Sequence, residues 1–258
     1  MKLVQHIKNI KSNSNKKRID IHVERYLEHN QELNDLINNF SNKSNSTGVS
    51  KSDYVVLYEY VKKNKPKYIL ECGTGVSTFV LALALEKYVL NDFPTAKIIS
   101  MESVKKWYEH QISILPKEFD RFVEITYSPI DVWQYSFIQG TVYKKIPNYP
   151  YEFVFVDGPN QAITNNNKRI QTCNMDFIKL VINSDSPVSA IIDNRKHTML
   201  AYTNIFGQDK TTFFPNNAFG LIRGVSNKDL LLNDKSTMLN NIFSKIVNKN
   251  INSILDHI

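Results

Sequence analysis

Five acidic residues stand at or just after the ends of short apolar runs: Glu71 in YILECGTGVS, Glu102 in KIISMESV, Asp131 in SPIDVW, Asp157 in FVFVDGPN and Asp193 in AIIDNRKH. After Glu71 come Gly73, Thr74 and Gly75, and Ser77 opens an apolar stretch. Glycines in such a place allow a tight turn and close approach of the backbone to a ligand, while free amides at a helix start favour polar or anionic groups. A strand, a Gly-x-Gly turn and a helix therefore read as a nucleotide-type cofactor site. Thr78 stands where a dinucleotide fingerprint needs its third glycine, and no Gly-Lys-Ser/Thr follows, so neither the dinucleotide nor the P-loop pattern is met.

An acid two positions before the first glycine suits a ligand carrying an ammonium group better than a pyrophosphate. S-adenosylmethionine carries such a group beside a sulfonium. A carboxylate at the tip of the second strand, Glu102, can accept both ribose hydroxyls, and Asp131 after the third strand can meet the adenine amino group. Asp157, Asp193 and Asn194 offer three oxygen donors from two strand ends, the ligand chemistry of Mg2+ or another hard divalent cation. Such an ion would lower the pKa of a substrate hydroxyl and orient it. Without a metal, Asp157 or His197 is the candidate general base, His197 because imidazole titrates near neutrality. Arg195, Lys196 and Arg169 are expected near the rim as solvated loop charges, the alternative being that they bind an anionic acceptor.

The elements that must position these residues follow from periodicity. Residues 19–40 carry apolar residues near helical spacing, and a further helix is expected over 51–64, with Ser52 or Asp53 as its cap. Past Pro66, strands are expected at 68–72, 97–101, 122–127, 153–156 and 189–192, alternating with helices at 77–89, 104–114 and 176–183, the signature of a parallel sheet with crossovers. Residues 211–214 and 220–223 flank a turn-rich PNNA segment and read as an antiparallel pair. The stretch 227–258 reads as terminal helices. Segments 128–151, 161–173 and 197–217 read as loops.

Together ECGTGVS, Glu102, Asp131 and FVFVDGPN resemble the class I S-adenosylmethionine-dependent methyltransferases, over about residues 51–224. The resemblance implies an α/β fold: a doubly wound, Rossmann-like sheet of seven strands, mostly parallel, with the last antiparallel. It implies that Glu71, Gly73, Thr74, Gly75, Ser77 and Asp157 contact the methionine part, Glu102 and Ser103 the ribose, and Asp131 the adenine. The set Asp157, Asp193 and Asn194 is similar to the metal ligands of the cation-dependent catechol and caffeoyl-CoA O-methyltransferases. The catalytic lysine of that family is replaced here by Asn160. The acceptor implied is a small molecule or a saccharide, met by the loops above.

Composition bounds the alternatives. The chain has 258 residues, 32 Lys+Arg against 25 Asp+Glu and a net charge of +7, so a nucleic-acid methyltransferase is the first rival. No Asn/Asp-Pro-Pro-Tyr/Phe tetrad or Pro-Cys motif accompanies that charge, which argues against a flipped-base substrate. A non-catalytic cofactor-binding module is the second rival. Two cysteines, Cys72 and Cys173, lie far apart with no zinc-type spacing, consistent with buried small hydrophobes in a reducing compartment. The longest apolar run, Phe79 to Leu85, is far short of the ~20 residues of a membrane span. The basic start, Met1 to Arg18, lacks the apolar stretch of a secretory signal, so a cytoplasmic protein is expected. Residues 1–50 read as a helical extension and linker that could carry a homo-oligomer contact, and 51–258 as the methyltransferase-like domain.

Overall fold

The computed structural model describes residues 17–43, 50–165, 168–214 and 219–230. The N-terminal apolar pattern forms two helices, α1 over 17–28 and α2 (Gln31–Lys43), and α3 (Lys51–Asn64) follows. The α3 helix has the expected bounds, but its cap lies two residues before Ser52 and three before Asp53. Ser50 is its N-cap, and both the Ser50 amide (3.1 Å) and hydroxyl (2.6 Å) donate to the Asp53 carboxylate. An acid three residues into a helix satisfies the start of the chain and suits the positive end of the macrodipole. The helix stops at Lys65, which is left-handed (φ 47°) before Pro66, a residue whose ring disfavours helix at the preceding position.

From there the chain alternates as expected: β1 (Tyr68–Cys72), α4 (Val76–Tyr88), β2 (Lys97–Glu102), α5 (Lys105–Ile114), β3 (Val123–Tyr127), then β6 (Phe153–Val156), α6 (Asp176–Ile182), β9 (Val188–Asp193), β10 (Thr211–Phe214) and β11 (Phe219–Val225). The seven strands pair in the order β10-β11-β9-β6-β1-β2-β3, and β11 alone runs against the rest. From β1 the chain first winds outward through β2 and β3, then returns to the other side of β1 as β6 and β9. The direction of winding thus reverses between β1 and β6, and such a reversal opens a crevice at the strands' carboxyl ends.

Alternate strand residues feed two cores. On one face Ile69, Ile98, Phe153, Phe155 and Ile191 meet α2, α3 and α4. On the other Leu70, Cys72, Val154, Val156 and Ile192 meet α6 and the helix described next, α7. Cys173 is buried on this second side, so both cysteines are packing residues.

Three segments read as loops are ordered differently. Residues 128–151 hold a hairpin of β4 (Ile130–Tyr135) and β5 (Ile138–Tyr143), turning at Ser136 and Phe137 with Ser136 at φ 54°. Its strands lie outside the main sheet, and Ile130 and Val132 remain exposed while Val142 and Tyr143 are buried, so only one strand shows a core pattern. Residues 161–173 hold a second hairpin, β7 (Ala162–Asn165) with β8 (Lys168–Gln171). Residues 197–217 begin with α7 (Lys196–Phe206), whose buried Thr198, Met199, Ala201, Tyr202, Ile205 and Phe206 recur at helical spacing. Of the expected terminal helices, only a single 3-10 turn at Asn227–Asp229 falls within the described residues; 231–258 lie outside them.

The composition boundary near residue 50 does not divide the core. Leu27 of α1 and Leu33, Ile37 and Phe40 of α2 are buried in the same cluster as α3 and α4, and Phe40 stacks on Phe79 with ring centroids 3.8 Å apart. Replacing Phe40 by Ala should therefore destabilise the protein by about 3–5 kcal/mol, read as a lower urea midpoint with an unchanged slope. An independent N-terminal appendage would leave that midpoint where it is.

Candidate functional site

The turn between β1 and α4 is held from below by a carboxylate. Glu71 is fully buried, and its two oxygens accept the hydroxyls of Ser77 (2.6 Å), Thr78 (2.6 Å) and Ser100 (2.5 Å). Burial pushes its pKa from 4.5 up to about 7 against the opposing pull of these hydrogen bonds, and the nearby Asp157 carboxylate adds to the rise. Gly73 turns at φ 106°, and its amide donates to the Met101 carbonyl. A Cβ on Gly73 would lie 3.1 Å from both the carbonyl carbon of Asp157 and the amide of Gly158. A Cβ on Gly158 would come within 2.9 Å of Gly73 and 2.6 Å of the Tyr143 hydroxyl. Two loops from neighbouring strands thus meet backbone to backbone, a contact only glycine permits. The buried Gln111 amide group fixes the other side of the turn through the Gly75 carbonyl at 2.9 Å. The first amides of α4, those of Val76 and Ser77, have no intrahelical acceptor and face the crevice end of the helix.

Glu102 lies half-buried at the tip of β2. Its Oε1 accepts the amides of Ser103 (2.6 Å) and Val104 (2.7 Å), and its Oε2 accepts the Thr74 hydroxyl at 3.0 Å. The turn and the second strand end are therefore tied directly together. Ser128, after β3, donates its amide to the Glu102 carbonyl (2.8 Å) and takes the Lys145 amide on its hydroxyl (2.9 Å). It is buried beside the strand end that the sequence assigns to ribose.

Asp193 ends β9 and Asp157 follows directly on the neighbouring strand β6, close enough for each carboxyl to shift the other. Burial raises both carboxyls. Arg195 offsets the rise at Asp157, while the neighbouring Asp157 charge drives Asp193 further up. The pair consequently holds a proton into the neutral range, most of it on Asp193.

No protein-family model matches the chain, and no curated protein matches it. Solved structures do. They include the O-methyltransferase TomG from Streptomyces achromogenes, in complex with S-adenosylmethionine (16% identity, 69% of this chain and 82% of that chain, TM-score 0.45). An O-methyltransferase from Bacillus cereus bound to S-adenosylhomocysteine shares 18% identity over 76% of this chain and 89% of its own, with TM-score 0.46. A structure described as a putative caffeoyl-CoA O-methyltransferase from Staphylococcus aureus shares 15% over 81% and 99%, with TM-score 0.47. Similarity this distant carries no argument; the strand order and the single antiparallel strand β11 define the fold. It is the doubly wound, Rossmann-like sheet of seven strands that the resemblance read from the sequence implies.

Within this fold, several expected site residues are placed otherwise than expected. Glu71 lies beneath the turn: no part of it reaches solvent, and its oxygens are occupied by three internal hydroxyls. The Ser77 side chain is equally committed to Glu71, which leaves its backbone amide for the crevice. Asp131 is exposed on β4, the outer strand of a hairpin where a loop was expected, and its carboxylate accepts the following Val132 amide at 2.8 Å. His197 is exposed on the first turn of α7 and is not buried with the carboxyl pair.

The metal set is corrected as well. Arg195 turns inward instead of lining the rim. Its Nη2 donates to Asp157 Oδ1 at 3.3 Å, and its Nη1 donates to the Pro159 carbonyl and to Asn174 Oδ1, both at 3.0 Å. A guanidinium thus occupies the face of Asp157 that a divalent ion would need. Asp193 is engaged with Asp157, and Asn194 is exposed with φ 35°. Among the described residues no group of three His, Cys, Asp or Glu side chains is arranged to hold a metal. The residues present do not fit the cation. The buried Asn174, which also ties Pro159 (2.7 Å) to Thr198, had no signal in the sequence beyond being polar.

Because the native protein holds a proton on Glu71 more tightly than the unfolded chain, the contribution of Glu71 to stability is full below pH 4.5 and is lost as pH rises through about 7. Glu71→Gln should make the fall in unfolding free energy between about pH 5 and pH 7.5 shallower by roughly 2 kcal/mol, measured by denaturant titration at each pH. The raised Asp157 and Asp193 carboxyls keep the remaining slope.

Proposed function

We propose that this chain is an S-adenosylmethionine-dependent methyltransferase that transfers a methyl group to an oxygen of a small-molecule or saccharide acceptor, without a divalent cation. The observation that carries the reading is the contact of Gly73 with Asp157 and Gly158 at the point where the sheet reverses its winding, with Glu102 tied to the same turn through Thr74. Three functional groups then face one crevice: helix-start amides, a strand-end carboxylate for a diol, and a carboxyl pair.

Bound in this crevice, the cofactor supplies a methyl group on an electron-poor sulfur. The chain's own work is placement and proton handling. The amides of Val76 and Ser77 take the polar end of the methionine part. Glu102, already held by three donors, presents Oε2 to the ribose hydroxyls. Asp157 takes the proton of the acceptor hydroxyl as its oxygen attacks. Its raised pKa makes it a stronger base than an exposed aspartate, and Arg195 keeps part of it ionised near neutrality. Alignment of the acceptor with the methyl group supplies most of the acceleration. Trp133 and Tyr135 of the hairpin β4–β5 stack on each other (centroids 6.3 Å) and pack against the second core.

Calorimetry should show S-adenosylmethionine binding to the wild-type protein, and Gly73→Ala should weaken it by about tenfold or more, since the added methyl group meets backbone on both sides. Binding and transfer should be unchanged by EDTA. A wild-type protein that takes up no cofactor at millimolar concentration would end this reading, and activity abolished by EDTA and restored by Mg2+ would end its metal clause.

A further inference from the structure

The helix α3 lies outside the Gly-turn and strand-end motifs, yet one of its side chains is left with an unsatisfied charge. Asp53 is only 4% exposed. Its Oδ2 accepts Ser50, whereas its Oδ1 is buried with no hydrogen-bond partner. A buried carboxylate oxygen without a donor is costly, and native proteins keep one where something else arrives to satisfy it.

The helix register shows what Asp53 faces. Tyr60 stacks on Phe153, the first residue of β6, with centroids 4.2 Å apart. Asp53 is seven residues before Tyr60, so it lies two turns away on the same face, about 10 Å along the axis. The chain leaves α3 at Lys65 and enters β1 at Tyr68, so the helix runs from the carboxyl edge of the sheet to its amino edge. Along β6, Asp157 lies four residues beyond Phe153, about 13 Å. The two distances agree to within about 3 Å, which brings Asp53 to the same edge of the sheet as Asp157 and Asp193. Electrostatics agree: Tyr54 is pushed up by burial and then by the charges of Asp157, Glu71, Asp53 and Asp193, and Asp193 feels both Asp157 and Asp53.

Three carboxyl groups thus converge with one guanidinium, and Glu71, the acid the sequence offers for an ammonium group, is sealed beneath the turn. We infer that Asp53 Oδ1, on the first turn of α3, accepts the primary ammonium of the cofactor's amino-acid part, with Asp157 and Asp193 supplying the rest of its negative surroundings. An ammonium group brings three donors, enough for the orphaned oxygen and its neighbours. This assignment rests on the cofactor reading above and makes the N-terminal helices a wall of the site.

The test compares two ligands that differ in the amino-acid part. S-adenosylhomocysteine carries the ammonium; 5′-methylthioadenosine has the adenine, ribose and sulfur without it. Calorimetry should show Asp53→Asn binding S-adenosylhomocysteine about tenfold or more weakly than wild type, with 5′-methylthioadenosine unchanged within about twofold. Ser50→Ala, which removes the hydroxyl on Oδ2 and leaves Oδ1 untouched, should lower thermal stability without altering the ratio of the two affinities. Equal losses for both ligands in Asp53→Asn would assign Asp53 a structural role only and overturn the inference, as would unchanged binding of S-adenosylhomocysteine. Should wild type bind neither ligand, the cofactor reading itself falls.

Discussion

The site depends on a carboxylate that no ligand can touch. Glu71 sits at the end of a central strand, with both neighbours in the sheet, β2 and β6, shutting out water. Burial disfavours its ionised form; the hydroxyls of Ser77, Thr78 and Ser100 pull the other way, make the burial tolerable and leave the carboxyl titrating at about 7. Those three bonds also join the start of α4 to β1 and β2. The Gly73–Gly75 turn therefore has one position available to it, and Gly73 meets the backbone of Asp157 and Gly158 without a gap.

A second polar network secures the opposite wall. Arg195 reaches back from the N-terminus of α7 to Asp157, Pro159 and Asn174, and Thr198 continues the chain of bonds to Gln161 at 3.2 Å. This pins the loop after β6, orients Asp157 and places a positive charge beside it. The charge-assisted bonds are only part-buried, so Arg195 acts mainly by fixing geometry. The network joins three segments that are far apart in the chain, and so it forms only once β6, β9 and α6 are in place.

The third wall is helical. Because α3 and α4 both run from the carboxyl to the amino edge of the sheet, their first turns lie together beside the crevice. The Ser50–Asp53 cap, in most helices a local matter worth about 1 kcal/mol, here holds an acid at the mouth of a binding site. The basic charge that suggested nucleic acid has no part in these walls, which are acidic except for Arg195.

How much of this was legible follows from what each feature depends on. Strand positions, α3 and the closing antiparallel pair were readable because apolar spacing and turn residues are local properties, and Glu102 and Asp157 could be placed at strand ends because the strands could be. The hairpin β4–β5 was missed because its outer strand faces solvent, and α7 because its helical spacing follows a charged segment that resembles a loop. Sequence alone determined the parallel α/β sheet, the glycine turn and the order of the acids along it, since each depends on neighbours within a few residues. Only the tertiary structure decided which acid is exposed, which is sealed and which is paired. Those outcomes depend on desolvation and on partners such as Ser100, Arg195 and the first turn of α3, brought together across distances in the chain that spacing cannot express.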